Sequence, residues 1–132
     1  LKPGAREFLV WLRQQGIRTG IASSNGIELV ETVLKAQGIQ EYLESVHTCC
    51  EVPKGKPAPD IYLLVAETLG VKPEECLVFE DVPMGILAGK NAGMRVCAVE
   101  DTFSASQREE KKELADYYIE SYDEIPRERM QP

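Results

Sequence analysis

The chain has one histidine, His47, and one tryptophan, Trp11, among its 132 residues. Its four cysteines, Cys49, Cys50, Cys76 and Cys97, include no Cys-x-x-Cys pair. With a single histidine beside them, a structural zinc site has no donor set to draw on. Each cysteine lies in an apolar, strand-like run, the setting of buried free thiols in a reducing cytosol. Basic residues are outnumbered, 15 Lys and Arg against 22 Asp and Glu, for a net charge of −7. Nucleic acid and anionic membrane surfaces both call for basic patches, so neither is expected as the main partner. No apolar run approaches the ~20 residues of a membrane span. No basic segment followed by an apolar one marks a signal peptide, and the expected compartment is the cytoplasm. Also missing is any Asp-x-Asp, since the aspartates are Asp60, Asp81, Asp101, Asp116 and Asp123.

What is present is ordinary in bulk and informative in order. Hydrophobic residues at 43% and charged residues at 28% suit one globular domain able to bury a core. After the turn Leu1-Lys2-Pro3-Gly4, Ala5, Phe8, Leu9 and Leu12 recur at helical spacing, with Gly16 as a stop. Ile17 to Ala22 reads as a strand ending in Ser23-Ser24-Asn25-Gly26. Ile27, Val30, Val33 and Leu34 mark the apolar face of a second helix that stops near Gly38. Val46 to Val52 reads as a strand. Ile61, Leu64, Val65 and Leu69 stripe a third helix ended by Gly70. Cys76 to Phe79 is a continuous apolar run, as in a strand buried on both faces. Pro83 opens a helix of small residues, Gly85, Ala88, Gly89 and Ala92, suited to close packing on a sheet. Arg95 to Val99 is the next strand. Gln107 to Tyr118 is a charged helix, Tyr118-Ile119 begins an edge strand, and Ser121 to Pro132 is a helical turn with a frayed tail. This alternation predicts an α/β fold, a parallel sheet with helices on both faces joined by right-handed crossovers.

In such a sheet the ligand site lies beyond the C-terminal strand ends. Three polar clusters fall there: Ser23-Ser24-Asn25, then Lys54 with Lys56, then Glu80-Asp81. The set suits phosphoryl transfer, which needs positioning and charge neutralisation above all. Ser23 can donate to a phosphate oxygen, and the N–H groups of Ser24 and Asn25 stand at a helix N-terminus that favours anions. Lys56 precedes Pro57 and is held extended, so its ammonium is aimed from a rigid turn. On an acidic chain it would be a local positive focus. Adjacent carboxylates repel unless a cation or lysine intervenes, and Mg2+ takes one or two carboxylates plus substrate phosphate. Plainer roles stay open: Ser23, Ser24 or Asn25 capping the second helix, Lys54 and Lys56 as surface lysines, Asp81 capping the helix after it. Asp60 reads as a cap of its own helix, and Glu109, Glu110 and Glu113 as a solvated face.

These segments together resemble the haloacid dehalogenase superfamily, in its β-phosphoglucomutase and phosphoglycolate-phosphatase-like branch. The resemblance rests on Leu1-Lys2-Pro3-Gly4, Ile21-Ala22-Ser23-Ser24-Asn25, Gly55-Lys56-Pro57-Ala58-Pro59-Asp60, Val78-Phe79-Glu80-Asp81, and Gly85-Ile86 through Ala92-Gly93-Met94, in order along nearly the whole chain. It implies a three-layer, Rossmann-like core. It also implies that Ser23 is a phosphate ligand and that Lys56 holds the phosphate and a nucleophilic aspartate. Glu80 and Asp81 would be the acidic pair for Mg2+, with Asp81 the direct ligand. The expected function is the core of a Mg2+-dependent phosphatase or phosphomutase for small phosphorylated metabolites such as sugar phosphates. The alternative is a non-catalytic phosphate-binding or regulatory module. The family's nucleophile lies in an Asp-x-Asp on an early central strand, followed in this branch by a helical cap. Neither matches anything in residues 1–132, and Val82-Pro83-Met84 stands where a serine often follows the acidic pair. The expectation is thus a partial core domain, inactive by itself and completed by an N-terminal segment or another polypeptide.

Overall fold

The computed structural model describes residues 2–125, so Leu1 and the expected tail from 126 onward lie outside the described residues. Among the described residues, five α-helices and five strands alternate in chain order. They are α1 (Ala5–Gln14), β1 (Gly20–Ser23), α2 (Ile27–Gln37), β2 (Ser45–Thr48), α3 (Asp60–Leu69), β3 (Leu77–Glu80), α4 (Pro83–Asn91), β4 (Arg95–Val99), α5 (Arg108–Leu114) and β5 (Tyr117–Ile119). Gly38 and Gly70 end α2 and α3 in the left-handed conformation, at φ 66° and 71°, where a side chain would be strained.

Every strand pairing is parallel. The strands nevertheless form two sheets, ordered β1-β2 and β3-β4-β5, where the alternating pattern predicts one. β1 and β3 each have a ladder partner on one side only. Side chains, and not ladder hydrogen bonds, hold the halves together. On one face, Ile61, Tyr62 and Ala66 of α3 and Ile86 and Ala88 of α4 share a cluster with Val78, Val96 and Ala98, and Ala22 of β1 packs against it. On the other, Val30 and Leu34 of α2 meet Leu9, Ile21 and Val46. Phe8 of α1 packs edge-on to Phe79 at 5.5 Å and lies 5.6 Å from Tyr122. Successive strand residues (Ile21 and Ala22, Val78 and Phe79) thus face opposite helical layers, the three-layer arrangement of an α/β domain.

Several local expectations change. Ile27 and Val33 are exposed, because α2 buries only Val30 and Leu34. β2 stops at Thr48, where Thr48 and Glu51 form a capping box that turns Cys49–Glu51 into a 3-10 helix. Of the cysteines, Cys97 is buried, Cys49 and Cys76 are half-buried, and Cys50 is exposed, since that turn points it outward. Asp60 does not cap α3; Pro59 holds that position and Asp60 is the first helical residue. The charged C-terminal helix is shorter than its sequence suggests. A 3-10 segment at Thr102–Gln107 precedes α5, and Tyr117 already belongs to β5. Among the described residues, no helix is long and apolar enough to cross a membrane.

Candidate functional site

Lys56 joins the two sheets. Its turn leaves the 3-10 helix after β2 and enters α3 through a cis Lys56–Pro57 bond. The ammonium donates to the Ala22 carbonyl of β1 at 3.2 Å and to the Glu80 carboxylate at the end of β3. It stands 5.0 Å over the Tyr62 ring, and the Tyr62 hydroxyl donates to the same Glu80 oxygen. Burial, followed by the Glu80 charge, pushes the Tyr62 phenol well above its ordinary pKa, so it remains a donor. Lys56 and Glu80 expose only 13% and 9% of their side chains, so the surface-lysine role is out for Lys56. It holds for Lys54, which is exposed. Asn91 of α4 ties the turn down through the Pro57 carbonyl at 3.0 Å.

Gly85 makes room for this pair. A Cβ there would fall well under 3.0 Å from the Glu80 carboxylate carbon and both its oxygens. The close packing on a sheet expected of Gly85 is made against the last residue of β3, and that residue is the site carboxylate Glu80. Gly89, one turn on, does pack on the sheet, where a Cβ would come within 2.6 Å of Val96.

Asp81 has a different environment. The N-cap of α4 is Val82, with no side-chain capping bond, so Asp81 is not used as a cap. Its carbonyl accepts from Ser104 Oγ at 2.7 Å. Its half-exposed carboxylate lies 3.4 Å from Lys2 Nζ, which also donates to Asp101 Oδ1 at 2.7 Å and the Glu100 carbonyl at 3.2 Å. The hydrogen bond from Lys2 holds the Asp101 carboxyl below its usual range. The expected acidic pair is therefore divided in use. Glu80 is taken up by Lys56 and Tyr62, while Asp81 faces a cation. Among the described residues, no three His, Cys, Asp or Glu side chains gather into a metal site. The half-exposed Asp81 carboxylate offers the oxygen donors a hard cation takes, and Lys2 is the charge such a cation would have to displace or share it with.

Ser23-Ser24-Asn25 occupies the C-terminal end of β1. The N-cap of α2 is Gly26, without a side-chain bond, so none of the three residues caps that helix. Ser23 Oγ accepts from the Asn25 N–H at 3.0 Å. That amide, expected to face an anion, is turned onto the serine. The Ser24 carbonyl accepts from Cys49 Sγ at 2.9 Å, which fixes the loop to the end of β2. Ser23 is half-buried, and Ser24 and Asn25 are exposed. Through the Lys56–Ala22 bond, the lysine sits one residue from Ser23. The ends of β1 and β3 and the Lys56 turn therefore meet at one place.

Tyr62, Lys2, Ser104 and Asp101 belong to this surround and were not singled out by sequence. Tyr62 was legible in principle, as the residue two beyond Pro-x-Pro-Asp on the buried side of α3. Lys2 and Ser104 come from opposite ends of the chain, and no local pattern links them to Asp81.

The chain matches known proteins in sequence and in fold. A family model described as haloacid dehalogenase-like hydrolase matches residues 1–93. Hexitol phosphatase B of Escherichia coli K12 is 32% identical over 125 residues, 95% of this chain and 55% of that protein. Hexitol phosphatase A of the same strain is 41% identical over 97 residues, 74% of this chain and 44% of that one. The crystal structure of CbbY from Rhodobacter sphaeroides in complex with phosphate superposes with a TM-score of 0.87 at 29% identity, covering 96% of this chain and 56% of CbbY. β-Phosphoglucomutase from Clostridium difficile gives 0.81 at 25%, covering 99% and 55%. The chain spans about half the length of the curated relatives it matches.

Proposed function

Since this chain belongs to the haloacid dehalogenase-like hydrolase family, we propose that it forms the phosphate-holding core of a Mg2+-dependent phosphatase or phosphomutase. The substrate class is a small phosphorylated metabolite, with sugar phosphates the first choice. The observation that carries the reading is the buried Lys56 ammonium, set between the Ala22 carbonyl and the Glu80 carboxylate at the meeting of strand ends.

In this reading Lys56 places its charge against the phosphoryl oxygens, and Glu80 with Tyr62 keeps that ammonium aimed. Ser23 donates its hydroxyl to a second oxygen, and the loop at Ser24 and Asn25 supplies N–H groups once Asn25 is released from Ser23. Asp81 would hold Mg2+, which neutralises charge on the transferring group when bound. The resemblance assigns nucleophilic attack to an Asp-x-Asp aspartate, which no residue of this chain supplies. Among the described residues, β1 and β3 each lack a ladder partner on one side. A further strand paired there would join the two sheets and end beside Ser23, Lys56 and Glu80. We assign that strand to the rest of the protein or to a complementing chain.

The test is phosphate release and sugar-phosphate isomerisation by the full-length protein over a panel of sugar phosphates, with and without Mg2+. At least one substrate should turn over with Mg2+, and Lys56→Met should lower kcat/KM by on the order of 10²–10³. Turnover that Lys56→Met leaves intact would overturn the proposal. Phosphate binding without turnover of any substrate would favour the non-catalytic module. Residues 1–132 alone should be inactive, and turnover by them that Lys56→Ala abolishes would refute that expectation.

A further inference from the structure

α5 reads as a solvated charged helix, Arg-Glu-Glu-Lys-Lys-Glu-Leu, yet one of its lysines is fully enclosed. Lys111 has 0% relative exposure. Its ammonium donates to the Val99 carbonyl at the end of β4 (2.7 Å) and to Ser104 Oγ (3.0 Å). Both hydrogen-bond partners are uncharged, and the Glu100, Asp81 and Asp101 carboxylates act on the ammonium through their charge without pairing with it. The Tyr118 ring lies 6.0 Å away. Burying an ammonium against neutral acceptors is expensive, and an apolar side chain of equal volume would serve stability better.

What the lysine reaches is informative. Ser104, itself 3% exposed, receives the Lys111 N–H and passes its own O–H to the Asp81 carbonyl at 2.7 Å. A continuous buried chain thus runs from α5 through Lys111 and Ser104 to the backbone of Asp81. The serine can donate in one direction only, and the ammonium, which cannot accept, fixes that direction toward Asp81. The same ammonium holds the end of β4, next to the strand that delivers Asp81. On the carboxylate side, Lys2 lies 3.4 Å from Asp81 and 2.7 Å from Asp101.

We propose that Lys111 is a positioning residue of the cation site: acting through Ser104, it fixes the Asp81 backbone and with it the aim of the Asp81 carboxylate. The proposal rests on the reading of Asp81 as the cation ligand.

The experiment measures Mn2+ affinity by electron paramagnetic resonance on the full-length protein, with the melting temperature recorded for each variant. The set is wild type, Asp81→Asn, Ser104→Ala, Lys111→Met and the Ser104/Lys111 double variant. Groups that orient a metal ligand are worth about tenfold or more in affinity. Ser104→Ala should therefore raise the Mn2+ Kd about tenfold, Lys111→Met should act in the same direction, and the double variant should add little to the larger single effect. Ser104→Ala decides the matter if Lys111→Met fails to fold. Wild-type Kd in Ser104→Ala, with Asp81→Asn abolishing binding, would overturn the proposal and leave the reading of Asp81 standing. Absence of any Asp81-dependent Mn2+ binding would refute that reading and the proposal with it.

Discussion

Replacing Gly85 by alanine should break the site from beneath. The added Cβ would fall well under 3.0 Å from three atoms of the Glu80 carboxylate. Carbon contacts settle at about 3.5–4.0 Å, so one partner must move by roughly 1 Å or more. α4 has no freedom to retreat, because Ile86 and Ala88 are fully buried and Gly89 already lies close on Val96. The carboxylate must therefore leave Lys56 and Tyr62. Breaking a buried pair costs about 3–5 kcal/mol, and alanine returns up to about 1 kcal/mol in helix propensity. The net expectation is a loss of about 2–5 kcal/mol, read as a lower urea midpoint at unchanged slope. In a Glu80→Ala background the obstruction is gone, and Gly85→Ala should be neutral or stabilising by up to about 1 kcal/mol. A cost below about 0.5 kcal/mol in the wild type, or equal costs in both backgrounds, would refute the reasoning.

Two further perturbations bear on other parts of the fold. Asp116 accepts from Lys90 at 2.8 and 2.9 Å and from the Val96 N–H at 2.8 Å, and the Lys90 bond leads in lowering its pKa. A depressed folded pKa stabilises above the unfolded value of about 3.9, and the benefit is lost as pH falls through the folded value. Wild type should accordingly lose more urea resistance than Asp116→Asn between about pH 5 and pH 3, and parallel curves would contradict this. Burial, with Glu124 second, pushes the Cys97 thiol up to about 12, whereas Cys50 is exposed. A thiol-reactive disulfide near pH ~8 should modify Cys50 first and Cys97 only on unfolding. A fast phase that survives Cys50→Ser, or modification of native Cys97, would count against that assignment.

The order of elements was legible because the signals are local. Gly16, Gly38 and Gly70 follow helical stripes at the places where α1, α2 and α3 end, Pro83 opens α4, and Arg95–Val99 is a strand as read. The three strand-end clusters were legible for a topological reason, since a parallel sheet brings all its C-terminal ends to one edge. That β1 and β3 do not pair was not legible in periodicity, which carries no information about a strand's neighbours; only the resemblance, whose central strand has no match in residues 1–132, pointed to that gap. Lys111 was hidden for a related reason. On α5 it differs in no local respect from Lys112, and its burial follows from where β4 and Ser104 lie. The acidic pair shows the same limit. Glu80 and Asp81 are chemically similar and adjacent, and only the positions of Lys56, Tyr62 and Gly85 give them separate uses.

The most direct test is an amide NMR titration of the protein with inorganic phosphate in the presence of Mg2+. Ser24 and Asn25 should shift together with the Lys56 turn, and Lys56→Met should abolish the response. A concavity of about 220 Å³ lined by Arg13, Thr19 and Tyr42 lies at the opposite end of β1 from Ser23. Shifts gathered there, with Ser24, Asn25 and Lys56 unmoved, would contradict the assignment of the phosphate site to the strand ends joined by Lys56.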